Sequence, residues 1–427
     1  MPVIPLALNW AVRLTGVIAV VAVVRDRFGT PACFAAMIGM FVSGFLPPIF
    51  PLMYKAYTTR AFGFRVRHML HPRLPAHSTT VFGARRIVSG TDASKHGLLL
   101  VPVSVLADNY SYIIGCERTR TCAVVDPADP QRIVDVVRAL GFEIKLVLTT
   151  HKHWDHAGGN DELRAMLPAD ANVRFVGSEE DAPAACDLLI HDGAVMRFGD
   201  AEVQAHATPG HTTGHLVYRV RHGPKDGAVT PKDFSPLTHA MLAAIEPLFA
   251  ATASGALATV SAKDPRVNGL ADRLKVPLRT HCDTSALFTG DCIFCGGCGA
   301  MFECRAATDV LLTYDLLHRM HALAPKTLCF VGHEYTERLF AELAERYPAN
   351  ADLKRRFTDV RQRRQRLDCT VPSTLADEAA TNPLMTLDRE ELVRMAAACA
   401  GASEVENAVY VSTKRRKPNG KAIDGSP

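Results

Sequence analysis

Directly after a short apolar run, the sequence places Thr150-His151-Lys152-His153-Trp154-Asp155-His156-Ala157-Gly158-Gly159-Asn160. Three imidazoles and a carboxylate fall within six positions, and the run before them, Ile144 to Leu148, is apolar apart from Lys145. Such a run reads as a buried strand, so the backbone carrying the histidines is held by the interior. His151 and His153, two apart in an extended loop, can converge on one cation. Asp155 and His156, at the start of a helix, can reach a neighbouring one. Nitrogen and oxygen donors of this kind suit divalent Zn, with Fe or Mn accepted where available.

The surrounding pattern says how such a loop is presented. Leu98-Leu99-Leu100-Val101, Tyr112-Ile113-Ile114 and Cys122-Ala123-Val124-Val125 read as strands divided by turns. Pro130 to Leu140 places Ile133, Val136, Val137 and Leu140 at helical spacing and stops at Gly141. Strand, helix, strand and then a polar loop is the α/β arrangement that puts a site at the carboxyl ends of strands. More short strands are expected around residues 173–176, 194–198, 203–207 and 216–220. From about 221 to 285 the rhythm breaks around an Ala-rich segment, Thr238 to Val260, which reads as an insertion. Beyond Thr336 the pattern is helical to about Cys369, with a last short segment after Pro372.

Three distant segments repeat the motif of a polar residue beside glycine after a strand. They supply His211 in Pro209-Gly210-His211, Asp291 in Thr289-Gly290-Asp291 and His333 in Gly332-His333-Glu334. Glycine lets the backbone approach an ion closely. Five histidines and two aspartates then suffice for two ions sharing Asp291, while His215 reads as a supporting histidine.

At 427 residues, 48% hydrophobic and 22% charged, the chain can bury a large core, which excludes global disorder and a disulfide miniprotein. The twelve cysteines are irregularly spaced and read as reduced thiols. Residues 1–60 hold five Lys/Arg against one acid, and the rest is balanced at 43 of each. No nucleic-acid surface is indicated by that balance. Gly29 to Tyr54 carries no charge, long enough for about 20 residues of hydrocarbon crossing, and Lys55, Arg60, Arg65 and Arg67 follow it. The expectation is a membrane-anchored chain with its body in the cytosol, the rival reading being a leader that targets an organelle such as the mitochondrion.

Taken together, these segments resemble glyoxalase II, the hydroxyacylglutathione hydrolases of the metallo-β-lactamase superfamily. The resemblance runs from about Leu98 to Pro418 and includes Asp108-Asn109-Tyr110, Val125-Asp126-Pro127, the metal loop, Gly297-Cys298-Gly299, Gly332-His333-Glu334-Tyr335-Thr336 and Val371 to Glu378 with Asn382-Pro383. It implies a four-layer αβ/βα sandwich over 98–336, interrupted by the insertion, and a carboxyl-terminal helical domain over 337–427. Residues 1–60 are then the hydrophobic segment and 61–97 a linker. It further implies one ion on His151, His153 and His211, a second on Asp155, His156 and His333, and Asp291 bridging them. The implied reaction is hydrolysis of a small-molecule thioester such as S-lactoylglutathione to a hydroxy acid and free thiol, by a monomer. Asp155 and Asp291 are the expected catalytic carboxylates.

Where members that use glutathione place a cation and then an aromatic hydroxyl, this chain has Ala300 and Phe302, and where they carry an Arg and a Lys near the end it has Tyr410 and Thr413. Tyr335 remains as a donor to the thiol's peptide backbone. Each missing cation removes a charge-assisted bond of about 1.5–3 kcal/mol, so weak glutathione affinity is expected, and a trypanothione thioester stays open. A lactonase, a sulfur-metabolising iron enzyme and a non-catalytic scaffold of the same fold also stay open. Lys354 to Arg366, with seven basic residues, reads as a solvated helix face, and rather than a cluster site Cys292 and Cys295 read as small residues in the loop beside Asp291, with Cys298 in the turn the resemblance includes.

Overall fold

The computed structural model describes residues 77–78, 83–92, 95–223, 278–300, 302–303, 320 and 323–386, all within one compact unit. Two sheets face each other. The first has eight strands in the order β11-β1-β2-β3-β4-β5-β6-β7, built from β1 Arg85–Val88, β2 Leu98–Val105, β3 Asn109–Cys116, β4 Thr121–Val125, β5 Glu143–Leu148, β6 Arg174–Ser178, β7 Leu188–Ile190 and β11 Thr280–Cys282. The second has six in the order β14-β13-β12-β10-β9-β8, from β8 Val195–Phe198, β9 Ala201–Ala207, β10 Leu216–His222, β12 Ser285–Gly290, β13 Leu328–Val331 and β14 Ser373–Thr374.

Between the sheets the core is aromatic and aliphatic. Tyr112 of β3 packs edge-on against Phe288 and Phe330, at centroid distances of 5.2 and 5.3 Å, and those two phenyl rings stack on each other at 5.1 Å. Helix α1 (Pro130–Leu140) forms as its spacing predicts. Asp129 caps it by accepting from the Arg132 amide at 3.1 Å, and Gly141 ends it in the left-handed region at φ 67°. The metal loop becomes α2 (Trp154–Ala157), followed by α3 (Asn160–Met166). Beyond β13 come α4 (Thr336–Arg346), α5 (Ala351–Gln365) and α6 (Leu375–Thr381), whose Phe340, Leu343, Leu353 and Val360 extend the core.

Several expectations need correction. Arg85–Val88 lies inside the stretch read as a linker, yet it is a strand between β2 and β11. Alternation could not reveal it, because two arginines precede its two apolar residues. Strands also overlap both ends of the 221–285 interruption, and residues 224–277 lie outside the described residues. The membrane-anchored location is corrected too: no helix among the described residues is long and apolar enough to cross a membrane, and the apolar run of 29–54 lies outside them.

The basic run of α5 is used within the fold. Arg356 donates to the Asp377 carbonyl at 2.9 Å and pairs with Glu378 at 3.2 Å, while Arg364 donates to the Ser78 hydroxyl and the His77 carbonyl at 2.7 and 2.9 Å. Arg355, Arg363 and Arg366 pair with Asp352, Asp359 and Asp368. At the end of the sandwich away from the metal loop, Arg118, two residues past β3, forks onto Asp200, one residue before β9. Both side chains are buried there, so one ion pair ties the two sheets together.

Candidate metal centre

The two sheets deliver their polar loops to one rim. Strand β5 runs into His151, β9 into the loop of His211, and β12 and β13, which pair in parallel, into Asp291 and His333. Glycine is required at the second pair. A Cβ at Gly332 would overlap the Asp291 carboxylate, and Gly290, at φ 47°, faces Thr150 and the His215 ring.

All seven residues singled out as ligands come together. Three overlapping groups, His151/His153/His211, His151/His156/Asp291 and Asp155/His156/His333, each bring their donor atoms within 4.8 Å of one another. His153 Nδ1 faces His151 Nε2 and His211 Nε2 at 3.0 Å each. Asp291 spans the groups: its Oδ1 lies 3.2 Å from His156 Nε2, and its Oδ2 lies 3.4 and 3.3 Å from the Nε2 atoms of His211 and His333.

Hydrogen bonds behind the rings decide which nitrogen carries the proton. His211 Nδ1 donates to the Ala300 carbonyl at 2.7 Å, His156 Nδ1 to Asp126 at 2.9 Å and His333 Nδ1 to Asp108 at 2.9 Å. The Thr150 hydroxyl gives its hydrogen to Asp126 and so accepts from His151 Nδ1 at 3.0 Å. Four inward Nε2 atoms therefore present lone pairs toward one another. Beside them, Asp291 Oδ1 is buried without a hydrogen-bond donor. Converging lone pairs and an orphaned carboxylate oxygen repel unless a cation or proton sits among them, so the donor set fits divalent metal.

Electrostatics divides the cluster. Burial, then neighbouring imidazoles, holds His151 well below the usual histidine range, and burial also lowers His153 and His211. These three are neutral donors. At His156 burial acts the same way but is outweighed by Asp291, Asp155 and Asp126, which hold its pKa well above normal. At His333 burial is likewise outweighed by Asp291 and Asp108, and its pKa is pushed up to about 10. Burial of Asp291 is outweighed by His333 and His156, which keep it ionised. These shifts favour a positive charge between Asp291 and the His156 and His333 rings, the place a divalent cation would take.

His215 serves the site from behind. Its Nδ1 is 2.7 Å from the Thr208 hydroxyl, its Nε2 accepts from the Asp291 amide at 3.2 Å, and its ring stacks on His151. Tyr335 is half-buried and stacks on His333 with centroids 4.6 Å apart. Phe302 is 47% exposed, with its ring 5.4 Å from His211 and 6.2 Å from His153. Ala300 contributes the carbonyl beneath His211. Tyr410 and Thr413 lie outside the described residues. Burial pushes the Cys292 and Cys295 thiols up to about 12, so neither is a ready thiolate ligand, and Cys304 is outside the described residues.

Sequence reasoning assigned no role to Asp108, Asn109 or Asp126. Asn109 donates its side-chain amide to Asp155 Oδ2 at 3.1 Å. An acid directly after a buried strand parallel to the metal-loop strand is a usable signal for Asp126. No local signal marks Lys152, whose ammonium lies 2.6 Å from Glu303 and 3.4 Å from Asp181. Glu303 and Asp181 also accept the amides of Thr213 and Gly214, at 3.0 and 2.9 Å, so this network clamps the His211 loop to the metal loop. For Asp126→Asn, metal affinity should fall about 10–100-fold, read by competition with a chromogenic chelator; unchanged affinity would show that the carboxylate does not orient His156.

The sequence matches two family profiles, one described as "Metallo-beta-lactamase superfamily" over residues 106–224 and one as "Hydroxyacylglutathione hydrolase C-terminus" over residues 334–417. It is 30% identical to "Hydroxyacylglutathione hydrolase" of Rhodospirillum rubrum over 315 residues, covering 74% of this chain and 96% of that protein. It is 31% identical to "Hydroxyacylglutathione hydrolase cytoplasmic" of Arabidopsis thaliana over 291 residues, covering 68% of this chain and 88% of that one. A relative of the first name in Gloeothece citriformis is 29% identical, covering 67% and 88%. With its α/β sandwich, its clustered donors and these matches along most of its relatives' length, the chain belongs to the hydroxyacylglutathione hydrolase family of the metallo-β-lactamase superfamily.

Proposed function

We propose that this chain is a thioester hydrolase that cleaves S-lactoylglutathione, or a close glutathione thioester, to a hydroxy acid and free thiol. The observation that carries the reading is the set of inward lone pairs around Asp291, each fixed by a hydrogen bond behind its ring. In this reading His151, His153 and His211 hold one divalent ion, Asp155, His156 and His333 hold a second, and Asp291 lies between them. Bound divalent ions, Zn, Fe or Mn, would supply Lewis acidity toward the thioester carbonyl and lower the pKa of an attacking water toward about 7.

The chain's own residues do the rest. Asp155 is held by Asn109, and its carboxylate would orient the attacking water through its free oxygen. Asp108, Asp126 and Ala300 keep the imidazole protons on the outer nitrogens. Phe302 lies beside the His153 and His211 rings and would give the substrate an apolar face there. Tyr335, against His333, can donate its hydroxyl to the peptide of the thiol carrier. Residues 98–336 then form the catalytic part and 337–427 the part that shapes the thiol end.

Metal-loaded protein should release free thiol from S-lactoylglutathione, followed with a thiol-reactive dye, and lose the activity when stripped by chelator. Absence of thiol release at full metal content, with lactones cleaved instead, would overturn the reading.

A further inference from the structure

Arg338 stands beside Tyr335, and among the described residues it forms no ion pair. It lies in the first turn of α4, exposed, and its guanidinium carbon is 4.6 Å from the ring centroid of Tyr335. Tyr335 in turn lies flat on His333, with an interplanar angle of 12°. The cation is thus two contacts away from the ligand cluster. The neighbouring α5 spends Arg355, Arg356 and Arg363 on Asp352, Glu378 and Asp359, but Arg338 has no ion-pair partner among the described residues. A guanidinium steadied by an aromatic face and left without a carboxylate offers a planar fork to an incoming oxyanion.

We propose that Arg338 is a specificity-determining residue that pairs with the glycine-end carboxylate of a glutathione-type thiol carrier. This rests on reading the chain as a glutathione thioester hydrolase. With the thioester carbonyl at the cluster, that carboxylate lies one residue beyond the cysteine carrying the sulfur. One extended residue spans about 3.3–3.6 Å, and in this proposal the carboxylate extends along the line from the His333 ring past Tyr335, 4.6 Å away, to Arg338. Ala300 brings no charge to this rim, and Arg338 is a cation stacked on the Tyr335 ring. A carrier whose glycine carboxylate is amidated, as in a polyamine conjugate, forfeits the pair.

The test measures calorimetric binding of two inert ligands, S-methylglutathione and its glycine amide, to the metal-loaded wild type, Arg338→Gln and Arg338→Lys. The wild type should favour the free acid about tenfold. Arg338→Gln should lose that preference, Arg338→Lys should keep part of it, and rising salt should weaken it. With the matching lactoyl thioesters, the loss should fall on KM rather than kcat. A wild type that does not distinguish acid from amide, or a Gln variant that still does, overturns the proposal. Discrimination in binding without any thioester cleavage would instead leave Arg338 supported and reject the hydrolase reading.

Discussion

Asp291→Asn should lose bound divalent metal and at least about a thousandfold in kcat/KM, roughly 4 kcal/mol of transition-state stabilisation. Asp291 places one oxygen 3.2 Å from His156 and the other 3.4 and 3.3 Å from His211 and His333. Its charge therefore faces both halves of the donor set at once. An amide of the same shape removes the negative charge and turns one acceptor into a donor. Either change leaves inward lone pairs without the anion that balances a cation. Metal analysis and thioester turnover on one preparation would check this. A variant with full metal content and undiminished turnover would show that this carboxylate is dispensable.

Arg118→Ala should destabilise the fold by about 3–5 kcal/mol, because it leaves Asp200 buried without its counter-ion. The carboxylate is covered by the ends of both sheets, its other neighbours are the weak Cys116 thiol at 3.8 Å and His222 Nε2 at 3.9 Å, and its pKa sits below the usual range because Arg118 outweighs burial. A group depressed in this way stabilises the fold above the ordinary carboxylate pKa of about 3.9, and that contribution is lost as pH falls through its lowered native value. Urea unfolding at neutral pH should show the full loss. A midpoint like that of the wild type would mean that water replaces the guanidinium there.

What was legible in the sequence was what depends on neighbours along the chain. The span Pro130–Leu140 could be read because its apolar spacing and its glycine stop are local, and the His151 to His156 loop because its chemistry is concentrated. Asp291 and His333 were reachable through a repeated strand, glycine, polar residue pattern. Of the orienting acids, Asp126 carries a positional signal after its strand although the ring it serves is 30 residues away, whereas Asp108 serves one that is 225 away and carries none. Arg118 and Asp200 meet only because two hairpins end at the same place, and the inward turn of Arg356 and Arg364 is decided by partners on other elements. Charge counting along Lys354 to Arg366 therefore indicated the solvated face that Lys354, Arg355, Arg361 and Arg366 form, but not the bonds of Arg356 and Arg364 to other elements.

Parallel pairing of β12 with β13 carries a last consequence. Asp291 and His333 each follow directly on one of these strands, and the Gly332 amide bonds the Gly290 carbonyl at 2.9 Å between them. Main-chain register, not the arriving ion, sets how far apart these two donors stand. Small domains whose metal creates their fold come apart when it leaves. Here sheet pairing holds these two donors together with the core, so chelating the bound metal should leave the sandwich folded, and one divalent ion should be replaceable by another in place.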